Sequence, residues 1–214
     1  MTNDEFYVLD MEMKTISPVI SGEIKTSERD FKRKKDINAP CRITGDNKVA
    51  VPIYGVVRGY LERILREKGE NVCDTGAKGA KGCGRCILCD LFGNLGRRGR
   101  VFFDDLKSNE DFNKVVKVSF HSRISRDDAS VSDSLTIEEI QEDALFEGKI
   151  RILNPKEKDI ELLSASIEAI NEFGLGGWIR RGRGRVDMKI KSVSKRKWSE
   201  FYERGKEVAA KIMV

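Results

Sequence analysis

Hydrophobic and polar residues alternate along several stretches of the chain, beginning near the N-terminus, where Tyr7, Leu9, Met11 and Met13 share one face. A period of two residues is typical of a β-strand that buries one of its faces. The sequence therefore predicts five strands. They are residues 5–16 (EFYVLDMEMKTI), 100–106 (RVFFDDL), 115–120 (VVKVSF), 145–153 (LFEGKIRIL) and 185–193 (RVDMKIKSV).

Two other stretches repeat their hydrophobic residues with the 3.6-residue period of an α-helix. The first begins after Pro52 and ends before Gly69, which is suited to the C-terminal cap of a helix. The second spans residues 159–173, and the basic segment near the C-terminus is also compatible with a helix. The apolar stripes are Val57, Leu61, Ile64 and Leu65 in the first helix and Leu162, Ile167, Ile170 and Phe173 in the second.

The order of these elements is strand, helix, strands, helix, strand. It predicts an α+β fold with a ferredoxin-like, RRM-like βαββαβ core, in a single domain that covers residues 1–214. Helices would cover one face of a four-stranded sheet, and the open face of such a sheet can bind an extended strand of RNA. Long polar insertions in the loops of this core are predicted at about residues 17–50, 70–98 and 121–144.

The composition is that of a globular protein with a hydrophobic core, since 39% of the 214 residues are hydrophobic and 35% are charged. No stretch approaches the roughly 20 apolar residues that a membrane-spanning helix needs. The first residues, MTNDEFYVLDMEMK, are acidic and alternating, unlike a signal peptide. We therefore expect a cytoplasmic protein with no membrane partner.

The net charge is only +5, but the basic residues are clustered in predicted loops, at residues 32–35, 97–100 and 180–185. Such clusters favour a polyanionic partner, because a solvated helix face would spread its lysines at helical spacing. The third cluster belongs to residues 174–185 (GLGGWIRRGRGR), here called the Gly-Arg loop, which interleaves five glycines with four arginines. Glycine permits close approach of the backbone, and arginine binds phosphate and stacks on bases. This composition favours RNA contact over a simple flexible turn.

Four of the five cysteines lie close together in the sequence: Cys73, Cys83, Cys86 and Cys89. In a cytoplasmic chain this clustering indicates a metal site before disulfides. Four thiolates complete the tetrahedral coordination of a structural zinc ion and leave no open position. Two alternatives stay open, namely iron–sulfur ligation, for which the fourth cysteine of the usual run is missing, and thiols that bind no metal.

Several motifs, taken in order, resemble the RAMP superfamily, the repeated backbone subunits of CRISPR effector complexes, particularly of the type III systems. They are similar to the family's "TPLHIGSG" element, its "IPGSSLKGKLRSLLE" helix start, its cysteine-plus-"LFG" element, the flanks of its thumb hairpin and its closing glycine-rich loop. The matching stretches are TISPVISGE (15–23), VPIYGVVRGYLERIL (51–65), CGRCILCDLFG (83–93), HSRISRDD and ALFEGKIRI (121–128 and 144–152) and GLGGWIRRGRGRV (174–186). The resemblance covers nearly all of residues 5–193.

The resemblance implies a protein that binds guide RNA side by side with further copies and other subunits of the complex, and that meets target RNA on the same guide. In the family a palm grips the RNA backbone, and a thumb hairpin is pushed through the guide–target duplex. Arg58 stands for the RNA-contacting lysine of the family, although Gly55 and Val56 replace the serine pair before it. The other residues expected to bind RNA are Arg181, Gly182, Arg183, Gly184 and Arg185 in the Gly-Arg loop and Arg123 and Arg126 in the thumb.

Type III backbone subunits cleave target RNA with an aspartate in the loop after the first strand, and two positions compete for that role here. Alignment on Pro40 places Asn38 there, whereas two extra residues would place Asp36 there. An aspartate beside a 2′-hydroxyl can help to position Mg²⁺ or Mn²⁺ or assist proton transfer. Asparagine carries no negative charge and would leave a scaffold that binds RNA without cutting it. Asp36 is thus the candidate catalytic residue.

Two further functions stay open. One is a free-standing RAMP-type endoribonuclease that processes CRISPR RNA. The single histidine, His121, argues against it, because those enzymes commonly use histidine for acid–base work and His121 lies in the predicted thumb. The other is a zinc-stabilised RRM-like adaptor, which the long thumb-like insertion disfavours.

Overall fold

The computed structural model describes residues 4–22, 37–74, 81–124, 127 and 130–212, apart from the side chains of residues 123 and 131–133. The strands are β1 (Glu5–Thr15), β2 (Arg42–Ile43), β3 (Lys48–Val51), β4 (Gly93–Asn94), β5 (Arg97–Arg98), β6 (Val101–Phe103), β7 (Leu106–Asp111), β8 (Val116–Ile124), β9 (Val131–Ile140), β10 (Leu145–Leu153) and β11 (Val186–Lys197). The α-helices are α1 (Tyr54–Glu67), α2 (Ile87–Phe92), α3 (Phe112–Val115), α4 (Asp159–Phe173) and α5 (Ser199–Ile212).

The main sheet is antiparallel and has the strand order β11-β1-β10-β7-β3-β2, with β6 also paired to β10. In chain order, helix α1 lies between β1 and the successive strands β6 and β7, and α4 lies between β10 and β11. The predicted α+β class is therefore confirmed, and the order of the core strands is that of a ferredoxin-like βαββαβ domain. Two further hairpins, β4–β5 and β8–β9, stand outside the main sheet.

The hydrophobic core lies between the sheet and the helices α1 and α4, and it agrees largely with the predicted apolar positions. Leu9, Met11 and Met13 of β1 are fully buried, as is Leu61 of α1. In α4 the buried stripe is formed by Leu163, Ile167 and Ile170 rather than by Leu162 and Phe173. The ring of Phe173 is instead 62% exposed and stacks on Tyr60 with a centroid distance of 6.2 Å.

The predicted first helix ends as expected at Gly69. This residue has a φ of +79°, a left-handed conformation that glycine adopts without strain. The amide of Gly69 donates to the carbonyl of Arg66, and the amide of Glu70 donates to the carbonyl of Leu65, both at 2.9 Å. This pair of hydrogen bonds is the Schellman arrangement, which satisfies carbonyls that the helix end would otherwise leave unpaired.

All three stretches expected to be polar insertions contain regular structure, and the stretch 70–98 includes α2, β4 and β5. The stretch 121–144 completes a long hairpin, in which β8 and β9 pair from Val116 and Ile140 to Ile124 and Val131. Among its described side chains, the buried ones are Ile137, Glu138, Glu139 and Ile140, at the start of the hairpin. Most of the hairpin is polar and therefore does not show a strand with one apolar face. The stretch 17–50 includes β2 and most of β3.

Strand β11 continues four residues beyond its predicted end, as an edge strand of the main sheet. Three of these four residues are basic, and all four are at least partly exposed, which is common at sheet edges and hides the hydrophobic alternation. The helix α5 follows, and its start packs on the outer side of the sheet. There Phe6 contacts the rings of Trp198 and Phe201, with centroid distances of 5.3 Å and 5.6 Å.

One ion-pair network ties the α2 region to the start of α4. The guanidinium of Arg100 lies 2.8 Å from Asp90 and 2.6 Å from Asp159, a carboxylate with only 3% side-chain exposure. Both carboxylates favour the charged guanidinium, with Asp159 the stronger influence, and they raise the pKa of Arg100 although burial opposes this. The basic residue Arg100, predicted to belong to a loop cluster that attracts polyanions, is therefore used inside the fold.

None of the helices in the described part of the chain is both long and apolar enough to cross a lipid bilayer.

Replacing Arg100 should destabilise the fold. We expect Arg100→Ala to lower the free energy of unfolding by about 3–5 kcal/mol, because the buried carboxylate of Asp159 loses its main partner. Urea denaturation measures this. Arg98→Ala is the matched control, since the side chain of Arg98 is exposed and makes no ion pair within the described residues, and it should change the stability little. Equal effects of the two substitutions would contradict the role assigned to Arg100.

Candidate metal centre and nucleic-acid interface

The four clustered cysteines converge on one point. Their Sγ atoms all lie within 4.8 Å of one another, and Cys73 Sγ lies 3.8 Å from the Sγ atoms of Cys86 and Cys89. Four thiolates at about 2.3 Å from a tetrahedral zinc ion would be separated by about 3.8 Å, so the cluster has the size of such a site. The fold thus brings together the four cysteines that the sequence analysis predicted as ligands, and their arrangement fits a four-coordinate metal ion.

Hydrogen bonds already favour thiolate at one of these cysteines. The amides of Arg85 and Cys86 donate to Cys83 Sγ at 3.4 Å and 3.3 Å. Together with a hydrogen bond from Cys73, they lower the pKa of Cys83 to about 6, with the amide of Arg85 as the largest cause. The proton shared with Cys83 raises the pKa of Cys73 to about 12. A bound metal ion would replace this shared proton as the counter-charge of the thiolates.

The fifth cysteine, Cys41, lies elsewhere and is fully buried in the main core. Its amide donates to the carboxylate of Glu138 at 2.7 Å, and its thiol lies 3.6 Å from the carbonyl of the same residue. Cys41 is therefore a packing residue at the base of the β8–β9 hairpin and lies outside the metal cluster.

The Gly-Arg loop is packed tightly against residues 16–20, which follow β1. The carbonyls of Pro18 and Ile20 accept hydrogen bonds from the amides of Gly184 and Gly177 at 2.9 Å and 2.8 Å. At Gly176 and Gly184, which have φ values of +87° and +80°, an added Cβ would overlap the carbonyls of Ile20 and Leu175 respectively. These two glycines are thus required by contacts within the protein itself. Gly182, also with positive φ, faces open space.

The four arginines of the loop differ in their surroundings. Arg183 donates through Nε to the buried carboxylate of Glu139 at 2.9 Å, and the guanidinium of Arg181 lies 5.2 Å from the ring centroid of Trp178. Arg180 and Arg185 are exposed, and neither guanidinium has a carboxylate partner in the described ranges. The four arginines thus fall into three groups. Arg180 and Arg185 have no described carboxylate partner, Arg183 stabilises the loop through Glu139, and Arg181 stacks on Trp178.

Glu139 joins the Gly-Arg loop to the hairpin β8–β9. Burial alone would raise the pKa of this carboxyl, but hydrogen bonds from Ser119 and Arg183 outweigh burial and lower it. His121 Nε2 lies 3.6 Å from Glu139, and its imidazole meets Trp178 edge-on at 4.7 Å. The single histidine therefore lies partway along the hairpin, opposite Leu135, in contact with Glu139 and Trp178.

Arg58 lies beside a second basic surface, which we call the basic pocket. This cavity of about 640 Å³ lies between the start of α1 and the β4–β5 turn. Its cationic lining residues are Arg58, Lys81, Arg97 and Arg98, and none of its lining residues is acidic. Arg58 donates to the hydroxyl of Tyr54 at 3.2 Å, while its Nε is buried with no partner among the described atoms. Arg58, for which a phosphate-binding role is predicted, thus lies in the same pocket as three other cationic side chains.

The open face of the main sheet has a different electrostatic character. Asp10 pairs with Lys149 at 3.4 Å, and Glu12 lies 2.9 Å from both Lys189 and Lys191. A groove of about 1010 Å³ on this side of the sheet has both carboxylates and lysines in its lining. Because acids neutralise the lysines here, the sheet centre is a poor surface for a polyanion, in contrast to the basic pocket.

Several predicted functional residues lie outside the described ranges: Asp36, Arg126 and residues 32–35. The side chain of Arg123 is likewise not described. Asn38, the competing position for catalysis, is described and bound to the hairpin. Its amide donates to the carbonyl of Thr136 at 2.8 Å, and its Oδ1 accepts from the amide of Thr136 at 2.9 Å. The described residues just before β2 therefore lie along strand β9.

Sequence reasoning missed four residues of these surfaces: Lys81, Asn94, Trp178 and Glu139. Lys81 and Asn94 flank the cysteine run, and their position next to a predicted metal site was the available signal. Trp178 stands inside the Gly-Arg loop as its only aromatic residue, which was a signal for stacking. Nothing in the local pattern distinguishes Glu139, because its partner Arg183 is 44 residues away.

Comparison with known proteins agrees with the fold and identifies the family. The model of the RAMP superfamily matches residues 12–187, and the chain belongs to this superfamily. A chain in the cryo-EM structure of the type III-B Cmr-beta bound to cognate target RNA is similar, with a TM-score of 0.64 and 18% sequence identity. The match covers 90% of the present chain but 61% of that chain, which is longer. No curated protein sequence matches the chain significantly.

The cysteine cluster leads to a prediction about metal content. We expect the purified protein to carry about one zinc ion per chain, because four thiolates form a closed tetrahedral site. Elemental analysis measures this in protein prepared without chelators. Cys86→Ser should remove the zinc and lower the melting temperature, whereas Cys41→Ser, which changes a thiol outside the cluster, should keep the zinc. A wild-type protein free of metal would refute the assignment.

Proposed function

We propose that this protein is a guide-RNA-binding backbone subunit of a type III-like CRISPR effector complex that acts in antiviral defence in the cytoplasm. The observation that carries the proposal is the placement of unpaired cations. Arg180 and Arg185 on the Gly-Arg loop, and Lys81 and Arg98 in the basic pocket, have no carboxylate partners within the described chain. Cations left free of acids, beside exposed backbone, are suited to the phosphates of an RNA strand.

Membership of the RAMP superfamily and the similar fold of a chain in a complex bound to target RNA support the same function. In this proposal the ferredoxin-like core is the palm, and a structural zinc ion holds the cysteine loop. Further copies of the protein and other subunits of the complex lie side by side along the guide.

The β8–β9 hairpin is the thumb of this proposal. Val118, Phe120 and Ile124, at alternate positions of β8, are 42%, 76% and 66% exposed. An exposed apolar edge of this kind is suited to stacking against bases where a guide–target duplex is opened. Arg123 of β8, and Arg126 shortly after it in the sequence, would then contact the RNA backbone.

The alternative, a free-standing endoribonuclease that processes CRISPR RNA, has less support. Such an enzyme would need an acid–base group beside the RNA. The only histidine of the chain, His121, is packed against Trp178 and Glu139 partway along the hairpin. The carboxylate beside His121, that of Glu139, is already held by Ser119 and Arg183.

Removing the free cations should weaken binding of single-stranded RNA and reduce its salt dependence. For Arg180→Ala/Arg185→Ala we expect the slope of log K against log salt to fall by about 1.4, since each phosphate contact on a single strand contributes about 0.7. Fluorescence anisotropy with a labelled oligoribonucleotide at several salt concentrations measures this slope.

The matched control is Lys189→Ala/Lys191→Ala, which removes the same charge from two lysines that pair with Glu12 on the sheet face. This variant should keep the wild-type slope. Arg183→Ala should mainly lower thermal stability, because it leaves Glu139 buried without its cation. If the sheet variant and the loop variant lose the same slope, RNA is not bound where we propose.

Cleavage of the target RNA is a separate proposal, which rests on the sequence. Asp36, in the loop after β1, would support Mg²⁺- or Mn²⁺-dependent cuts at intervals set by subunit spacing. Asn38 makes its backbone and side-chain hydrogen bonds to Thr136, and an aspartate at this position could accept the same bond. Asn38→Asp therefore tests the position with little change of structure.

The test is a reconstituted complex with guide RNA, labelled target RNA and Mg²⁺ or Mn²⁺. We expect regularly spaced cuts with the wild type, their loss with Asp36→Asn, and no gain with Asn38→Asp. A wild type that never cuts, combined with cutting by Asn38→Asp, would instead identify a natural scaffold in which position 38 is the vacant catalytic position.

A further inference from the structure

The basic pocket and the cysteine cluster share one piece of backbone. The amide of Leu95, in the β4–β5 turn, donates to the carbonyl of Lys81 at 3.3 Å. Arg97 donates to the carbonyl of Gly84 at 2.8 Å. Lys81 and Gly84 directly flank the segment that contains Cys83, so the turn that forms the pocket is hydrogen-bonded to the loop that carries the thiols.

Side-chain packing joins the two features as well. A Cβ added at Gly82 would lie 3.1 Å from Cys89 Sγ and 2.7 Å from the Cβ of Asn94, so the backbone here is enclosed between a thiol and a residue of the pocket. Helix α2 carries Cys89 and ends at Phe92, which lines the pocket. The carbonyl of Phe92 accepts the hydroxyl of Tyr54 at 2.9 Å, which fixes this wall to α1.

The pocket has the chemistry of a phosphodiester site with an apolar wall. Lys81 and Arg98 are exposed and form no ion pair with any described residue, and the buried Nε of Arg58 also lacks a partner. Arg97 alone among the pocket cations is neutralised, by Asp90 at 3.2 Å. The rings of Tyr54 and Phe92 meet edge-on at 5.5 Å behind these cations. A nucleotide could place its phosphate on the cations and its sugar or base on the rings.

We propose that the basic pocket is a phosphate-binding site for RNA whose cations are held in position by metal at the cysteine cluster, so that metal loading sets RNA affinity. This inference rests on the proposed RNA-binding function and deepens it. The described contacts give the segment 81–84 few anchors other than the turn and the thiols. Metal binding at four thiolates would fix Cys83 relative to Cys73 and Cys89, and with them the backbone of Lys81 and the β4–β5 turn.

The experiment is a thermodynamic cycle that combines removal of the metal with substitution of the pocket cations. The affinity for a labelled single-stranded oligoribonucleotide is measured for the zinc-loaded and the chelator-stripped wild type, and for the Lys81→Ala/Arg98→Ala variant in both states. We expect removal of the metal to weaken wild-type binding about tenfold. It should also reduce the slope of log K against log salt by about 0.7 or more, which corresponds to the loss of at least one phosphate contact. In the pocket variant, which already lacks these contacts, stripping should change the affinity less than twofold.

Two controls separate this effect from unfolding and from other surfaces. Circular dichroism of the stripped wild type should keep the native helix and strand signals, and re-addition of zinc should restore affinity. Cys41→Ser should behave like the wild type in both states. The Arg180→Ala/Arg185→Ala variant, altered in the Gly-Arg loop, should still respond to stripping about tenfold, because its pocket is intact.

The outcomes are distinct. If the zinc-loaded wild type binds RNA and stripping has no effect, or weakens wild type and pocket variant equally, the link between metal and pocket is wrong while the proposed function stands. If the stripped wild type unfolds, the link is also overturned, because the metal then acts on the whole fold. If the zinc-loaded wild type does not bind RNA at all, both the inference and the proposed function fail.

Discussion

The geometry of the candidate RNA surface depends on residues 16–20, the short segment that follows the first strand. On one side Val19 exchanges two backbone hydrogen bonds of 2.9 Å with Ile140 at the base of the β8–β9 hairpin. On the other side Pro18 and Ile20 accept amides of the Gly-Arg loop. Because one segment is bonded to both, the hairpin and the loop are fixed relative to each other, and the ion pair of Glu139 and Arg183 closes the same junction. The glycines of the loop permit this close contact. The glycine content of the loop is therefore explained in part by packing within the protein and not only by a ligand.

Charge pairing then decides which basic residues are available to a partner. Two residues that the sequence groups with exposed cations, Arg100 and Arg183, are held by buried carboxylates. On the sheet face, Lys149 is paired with Asp10, and Lys189 and Lys191 are paired with Glu12. What is left unpaired among the described cations of these surfaces collects at the Gly-Arg loop and in the basic pocket. Because acids neutralise much of the sheet face, the Gly-Arg loop and the basic pocket are the more favourable of these surfaces for a polyanion.

Much of this structure could be predicted from the sequence, for identifiable reasons. Strand β10 and helix α4 have the predicted bounds, since their hydrophobic periods are strong and each buries one face. The cysteine cluster was also predictable, because cysteines at such short spacing are typical of metal ligands. Only the first part of β8 showed a strand pattern, and β9 showed none because most of it is polar, although the place of the hairpin was implied by the resemblance to RAMP proteins. The partners of Arg100 and Arg183 could not be predicted, since each pairing joins residues far apart in the chain. The basic pocket likewise arises only when α1 and the β4–β5 turn meet.

The central claim is that RNA lies across the Gly-Arg loop and the basic pocket rather than on the open face of the sheet. Photocrosslinking of the zinc-loaded protein to 4-thiouridine-labelled single-stranded RNA, followed by mass spectrometry of the linked peptides, tests it most directly. We expect crosslinks in peptides that contain Tyr54, Phe92 or Trp178. Crosslinks confined to β1, β10 and β11, or to the exposed aromatic residues Trp198 and Tyr202 near α5, would contradict the claim.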